Sequence, residues 1–124
     1  MRKVGWFDIY VDEMERAHTF YETVLDTSLA VMDDPNDPGA QMRTFVDDYQ
    51  SHGAGGALVK LAHAKPGIGG SMVYFSCDDC SVEQGRVSAA GGQVIRPKFS
   101  IGNHGFVSLF MDTEGNMVGL HSLR

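Results

Sequence analysis

The sequence predicts an α+β fold built from two βαβββ modules. Three observations carry that expectation. Apolar residues alternate between strand and helix periodicity in the same order twice, Gly- and Pro-rich breaks separate the segments, and a constant offset of 66 brings the two halves into register. The 124 residues are 43% hydrophobic and 21% charged, the balance of one ordinary globular domain spanning 1–124. Fifteen glycines, about twice the usual ~7% share, imply many tight turns.

The first module, about residues 1–64, opens with Lys3–Val11, where Val4, Trp6, Phe7, Ile9 and Val11 partly alternate as in a strand. Asp12 then stands three residues before Glu15, the spacing of a capping box that satisfies the first free amides of a helix. Met14, Ala17, Phe20, Tyr21, Val24 and Leu25 follow at intervals that give this helix one apolar face. Leu29–Met32 and Met42–Val46 are short strands. The segment between them, Asp33 to Gly39, holds two Pro and a Gly and is a loop. Gly55 and Gly56 precede a third strand, Ala57–Leu61, and Lys65–Gly70 breaks the pattern.

The second module, about 70–124, repeats the order. Met72–Cys77 is a strand, and Ser81–Ala90 is a helix with a second capping-box spacing, Ser81 to Gln84, stopped by Gly91 and Gly92. Gln93–Arg96, Gly105–Met111 and Met117–His121 supply three more strands, the last two joined by the polar turn Asp112–Asn116. The offset pairs Val11 with Cys77, Asp12 with Asp78, Glu13 with Asp79, Tyr21 with Val87 and Leu29 with Ile95. Each module leaves one face of its sheet unburied, so the two are expected to cover each other or another chain around a cavity. Period two places Trp6, Asp8 and Tyr10 on one face, Met72, Tyr74 and Ser76 on one face, and Met117, Gly119 and His121 on one face.

Composition narrows the function. Ten Lys and Arg against sixteen Asp and Glu give a formal charge of −6, the wrong sign for neutralising a phosphate backbone, so nucleic acid is not an expected partner. No apolar run approaches the ~18 residues of a membrane helix, and the start of the chain alternates where a signal peptide would be continuously apolar. Two cysteines without an export signal suggest a reducing, cytoplasmic location.

The stretch from Asp8 to Ala17, followed by Phe20 and Tyr21, resembles the opening signature of the glyoxalase/bleomycin-resistance/extradiol-dioxygenase group, the vicinal oxygen chelate superfamily. The close of the chain agrees: Gly105 to Val107, then Asp112-Thr113-Glu114-Gly115-Asn116, then Gly119 to Ser122 are similar to that family's final strand, D-x-x-G-N turn and last strand. The resemblance covers nearly the whole chain. It implies a half-open, barrel-like cup, often assembled as a homodimer, with a ligand cavity inside.

Enzymes of that family chelate a divalent metal with His and Glu from four strand positions. Carried over by motif, those positions fall on Trp6, Met72, Gly119 and Lys60. Such metals need oxygen or imidazole donors, and none of these residues supplies one. No cofactor is therefore expected. The resemblance then implies a metal-independent small-molecule-binding protein, its cup lined by Trp6, Asp8, Lys60, Met72, Tyr74, Gly119 and His121. An aromatic wall with a few convergent polar groups is how such sites usually gain affinity. No catalytic residue is assigned, although His121 with Asp8 has the composition of an acid/base pair.

Two alternatives stand beside this reading. A metal-dependent lyase, isomerase or dioxygenase could use relocated ligands, Asp8, His104 and His121, since three donors and an open position suffice. Cys77-Asp78-Asp79-Cys80, between a strand and a helix start, has the placement of a dithiol redox site, although two aspartates oppose a thiolate there. His18, His52 and His63 show no ligand spacing.

Overall fold

A computed structural model describes residues 2–45 and 53–124. In chain order its elements are β1 (Val4–Tyr10), α1 (Met14–Leu25), β2 (Leu29–Met32), β3 (Gln41–Phe45), β4 (Gly55–Lys60), β5 (Ser71–Ser76), α2 (Cys80–Gln84), β6 (Gln93–Ser100), β7 (Phe106–Met111) and β8 (Met117–Ser122). A single 3-10 turn, Gly102–His104, precedes β7. The α+β order βαβββ therefore occurs twice. Val46, the expected end of the third strand, and His52 lie outside the described residues.

Two compact units make up the chain: Phe7–Ser71, and Met72–Arg124 together with the start of the chain through Trp6. In the first, β2, β3 and β4 form an antiparallel ladder in which Leu29 faces Phe45 and Gln41 faces Lys60. The Val11 amide donates to the Val59 carbonyl at 2.9 Å, tying the end of the first strand to β4. Val11, Met14, Leu29 and Leu58 are its buried core, with Ile9, Ala17, Tyr21 and Phe45 packed around them.

Helix α1 departs from expectation in two ways. Its cap is Glu13, itself extended (φ −128°, ψ 104°), whose carboxylate accepts the Arg16 amide at 2.8 Å. Its apolar stripe is also wider than its contact: Met14, Ala17 and Tyr21 reach the core, while Phe20, Val24 and Leu25 are exposed.

In the second unit β5 and β8 run parallel, and β8, β7 and β6 run antiparallel. Strand β6 extends to Ser100, beyond the expected Arg96, because Pro97 sits where the register shifts on an edge strand and no ladder amide is required of it. Helix α2 is shorter than expected, five residues, ending at Gly85, whose backbone freedom weakens a helix. Its first amide, Cys80, donates at 3.0 Å to the Oγ of Ser122, a buried hydroxyl that itself donates to the Arg124 carbonyl at 2.8 Å.

The cap of α2 is Asp79, not Ser81. Its carboxylate accepts from the Ser81 amide (3.0 Å), the Ser81 hydroxyl (2.7 Å) and Lys98 Nζ (2.9 Å). Lys98 first, then the two Ser81 donors, holds this carboxyl far below the usual carboxylate range. Because the folded-state value is depressed, the stabilisation is present above the unfolded value of about 4 and is lost as pH falls toward the folded value. Asp79→Asn is therefore expected to lower Tm at pH 7. The difference from wild type should shrink steadily in melts taken toward pH 2.

The internal repeat is visible in these caps. Glu13 and Asp79 stand 66 residues apart, and so do the buried first helical residues Met14 and Cys80.

Candidate functional site

The parallel register of β5 and β8 sets Tyr74 beside Gly119 and Ser76 beside His121. Ser122 reaches the first amide of α2, so Ser122 and Leu120 point to the helix side. Gly119 and His121 consequently face the other way, as do Val107 and Leu109, their cross-strand partners on β7. Met72, buried, and Tyr74, half-buried, share that face from β5.

Tyr74 and Gly119 fit each other closely. A Cβ placed on Gly119 would lie 2.1 Å from Tyr74 Cδ2 and 2.5 Å from Cε2. Glycine at this position does not leave an open space; it admits the tyrosine ring. One residue pair along, His121 Nε2 lies 2.6 Å from the backbone carbonyl oxygen of His104, to which its N–H donates. His104 thus contributes its main chain, from the 3-10 turn, rather than its imidazole.

The same unit contains Trp6, half-buried. Asp8 belongs to the first unit and is only 7% exposed. Nearby, burial first and the Asp8 charge second push the Tyr10 hydroxyl up to about 12.

Lys60 stands differently from the motif alignment. The Val11 amide bonds to Val59 just as the Cys77 amide bonds to His121, at 2.9 and 2.8 Å. By that equivalence the partner of Gly119 in the first module is Ala57, fully buried, two residues before Val59. Lys60 lies on the alternate face of β4, that of Leu58, and is exposed at the strand end. Neither Ala57 nor Lys60 offers a donor to a divalent metal.

Among the described residues no group of three His, Cys, Asp or Glu side chains comes together to hold a metal. The set Asp8, His104 and His121 is not such a group. The cysteines read similarly. Cys80 is fully buried, and burial, then Glu83, pushes the Cys77 thiol up to about 11. Glu83 is itself held low by the Arg2 guanidinium. Cys77 is therefore expected to react slowly with a disulfide reagent at pH 7, with a rate that climbs tenfold per pH unit toward about 11. A plateau near neutrality would instead restore the redox alternative.

Two surface clefts lie apart from Tyr74, Gly119 and His121. One, of about 340 Å³, has Val87, Ala90 and Phe110 as its apolar floor beside Arg86 and Asp112. The other, of about 310 Å³, gathers Asp12, Gln41, Lys60 and Lys65. Sequence spacing alone gave no sign of either, because each is assembled from separate loops and strand ends.

Comparisons with known proteins bear on the whole chain. "Putative glyoxylase CFP32", from Mycobacterium bovis and from Mycobacterium tuberculosis, is 27% identical over 121 residues, covering 94% of this chain and 44% of the relative. The chain thus spans less than half the length of the curated relatives it matches. Among solved structures, a hypothetical protein from Bacillus halodurans C-125 superimposes with a TM-score of 0.75 at 14% identity, over 99% of this chain and 95% of that one. Methylmalonyl-CoA epimerase from Mycobacterium tuberculosis gives 0.72 at 12% identity, over 98% and 87%. At such identities the likeness shows a shared fold. The sequence itself goes further: residues 3–120 match the model of one family, and the chain belongs to the Glyoxalase/Bleomycin resistance protein/Dioxygenase superfamily.

Proposed function

We propose that this chain is a metal-independent glyoxalase-like protein that binds a small organic molecule on the sheet face carrying Met72, Tyr74, Gly119 and His121, with Trp6 as its aromatic probe. The observation that carries the proposal is the Tyr74 ring over Gly119. At the position where the family resemblance expects a metal-binding Glu there is no side chain, and the room one would need holds an aromatic ring. Trp6, Met72 and Ala57, at the other three positions, offer no oxygen or imidazole donor. The donor set does not fit a divalent metal, and no step is derived through one.

What remains on this face suits recognition by contact. Tyr74 supplies an aromatic surface, Met72 an adaptable apolar one, and His121 a polar group held in place by the His104 carbonyl. Aromatic bodies with a few fixed polar groups are the usual makeup of small-molecule sites.

The test is a metal analysis of protein purified without chelator, paired with thermal melts in Zn²⁺, Ni²⁺, Mn²⁺ or Fe²⁺. Binding to the native state raises apparent stability, so a metal-independent protein should carry no stoichiometric metal and show no ion-specific shift. A stoichiometric metal would overturn the proposal. Small aromatic compounds are then expected to change the emission of Trp6, the only tryptophan in the chain. A compound that stabilises the protein in melts while leaving Trp6 emission untouched would move the site elsewhere.

A further inference from the structure

We infer that the cleft of about 310 Å³ in the Phe7–Ser71 unit is a separate binding site for a phosphorylated small organic molecule. The inference does not rest on the function proposed above, since Lys60 stands on the Leu58 face of β4 and the cleft is built wholly from first-unit residues.

Charge is unevenly placed on this chain. The chain carries ten Lys and Arg in a protein of formal charge −6. Arg2, Arg43 and Lys98 are each spent on a carboxylate: Glu83, Glu15 and Asp79. The side chains of Lys60 and Lys65 have no ion-pair or hydrogen-bond partner among the described residues, and, unlike the other unpaired surface cations, these two are brought to one cleft. Two like charges in one concavity repel unless an anion joins them. Among the described residues of the lining Asp12 is the one carboxylate, and a single negative charge cannot balance both.

Gln41 lies directly opposite Lys60 in the β3–β4 ladder, so an amide and an ammonium stand side by side on one face. Lys65 comes from beyond the Leu61–Ala64 bridge, so the two lysines line the cleft from different chain segments. Lysine acts on phosphate as a point charge, and convergent donors from two chain segments suit a group with several acceptor oxygens. The rest of the wall is apolar, Val11, Leu61 and Ala62, which gives an organic body something to lie against. The volume is at the small end of ligand pockets.

Isothermal titration with phenyl phosphate, and with orthophosphate as the bare anion, tests the inference on the intact chain. Saturable binding of phenyl phosphate is expected, weakened about tenfold by Lys60→Ala or by Lys65→Ala and lost in the double variant, as the removal of charge-assisted contacts predicts. Lys60→Arg with Lys65→Arg should retain it. Lys3→Ala, at an exposed lysine outside the cleft, should leave it unchanged. The inference is overturned if wild type shows no saturable binding, if the double alanine variant binds as well as wild type, or if Lys3→Ala weakens binding equally. Orthophosphate binding as tightly as phenyl phosphate would overturn the organic part of the assignment. Surface lysine substitutions normally leave stability nearly unchanged, and matching melts for all variants make the comparison direct.

Discussion

Gly105→Ala is expected to destabilise the protein by about 2–6 kcal/mol. Two costs combine. Gly105 has φ 103° and ψ −132°, a region that side-chain-bearing residues rarely enter, which is worth about 1–3 kcal/mol. A Cβ there would also stand 2.3 Å from the Ser122 carbonyl oxygen and 3.1 Å from Leu123 Cα. These are backbone atoms of the last strand and its exit, unable to swing aside as a side chain would, and overpacking adds a further ~1–3 kcal/mol. Gly115→Ala separates the two costs. Its φ is 86°, yet a Cβ there meets nothing within 4 Å, so only the conformational part should appear. Urea unfolding of both variants gives the comparison, and equal losses would mean that the Gly105 contact is not what limits this position. The Gly105 variant should also disturb His121, since the neighbouring His104 carbonyl is the group that holds its ring.

The second large effect is expected at Gly119. Gly119→Ala should cost about 1–3 kcal/mol by driving a methyl group into the Tyr74 ring. In a Tyr74→Ala background the same substitution meets no ring and should be nearly free. The two changes are therefore expected to couple by about 1–3 kcal/mol, the double variant being more stable than the sum of the singles implies. Additive losses within about 0.5 kcal/mol would show that the ring does not occupy this space, and the proposed binding face would lose its central observation. The same variants read function. Tyr74→Ala should weaken any compound found by its effect on Trp6 emission, whereas Gly115→Ala should not.

Much of the fold was legible because periodicity and punctuation are local signals. Strand and helix order, the loop at Asp33–Gly39 and the twofold repeat all follow from spacing, and the repeat reaches down to the paired caps Glu13 and Asp79. The errors arise where a neighbour decides. Asp12 and Glu13 are both chemically competent caps, and which carboxylate meets the Arg16 amide is decided by where the chain turns into the helix. Phe20, Val24 and Leu25 satisfy the helical period, yet the core beneath α1 is only wide enough for Met14, Ala17 and Tyr21.

Among the candidate site residues the same distinction holds. Tyr74, Gly119 and His121 are brought together because they sit in register on adjacent strands, and period two suffices to place them. Lys60 falls out of alignment because the span from the end of the first strand to the last is longer in the first module, Val11 to Val59, than in the second, Cys77 to His121, so the offset that aligns the helices does not align β4 with β8. Only the bonds of Val11 to Val59 and Cys77 to His121 supply that register, and they are long-range pairings that no local pattern encodes. The tyrosine over Gly119 is invisible in sequence for a related reason: glycine signals a turn, a bulge or a close approach alike.

The bond from His121 to the His104 carbonyl has one more consequence, for the polarity of what this face can recognise. A carbonyl oxygen can only accept, so Nε2 must carry the hydrogen. In the neutral ring that fixes the tautomer and leaves Nδ1 as a lone pair. His121 is then a hydrogen-bond acceptor toward solvent or ligand, and a molecule offering a hydroxyl or an N–H is matched to it. A carboxylate or carbonyl group, which can only accept, finds no partner in that lone pair, so this one residue selects for donors over acceptors.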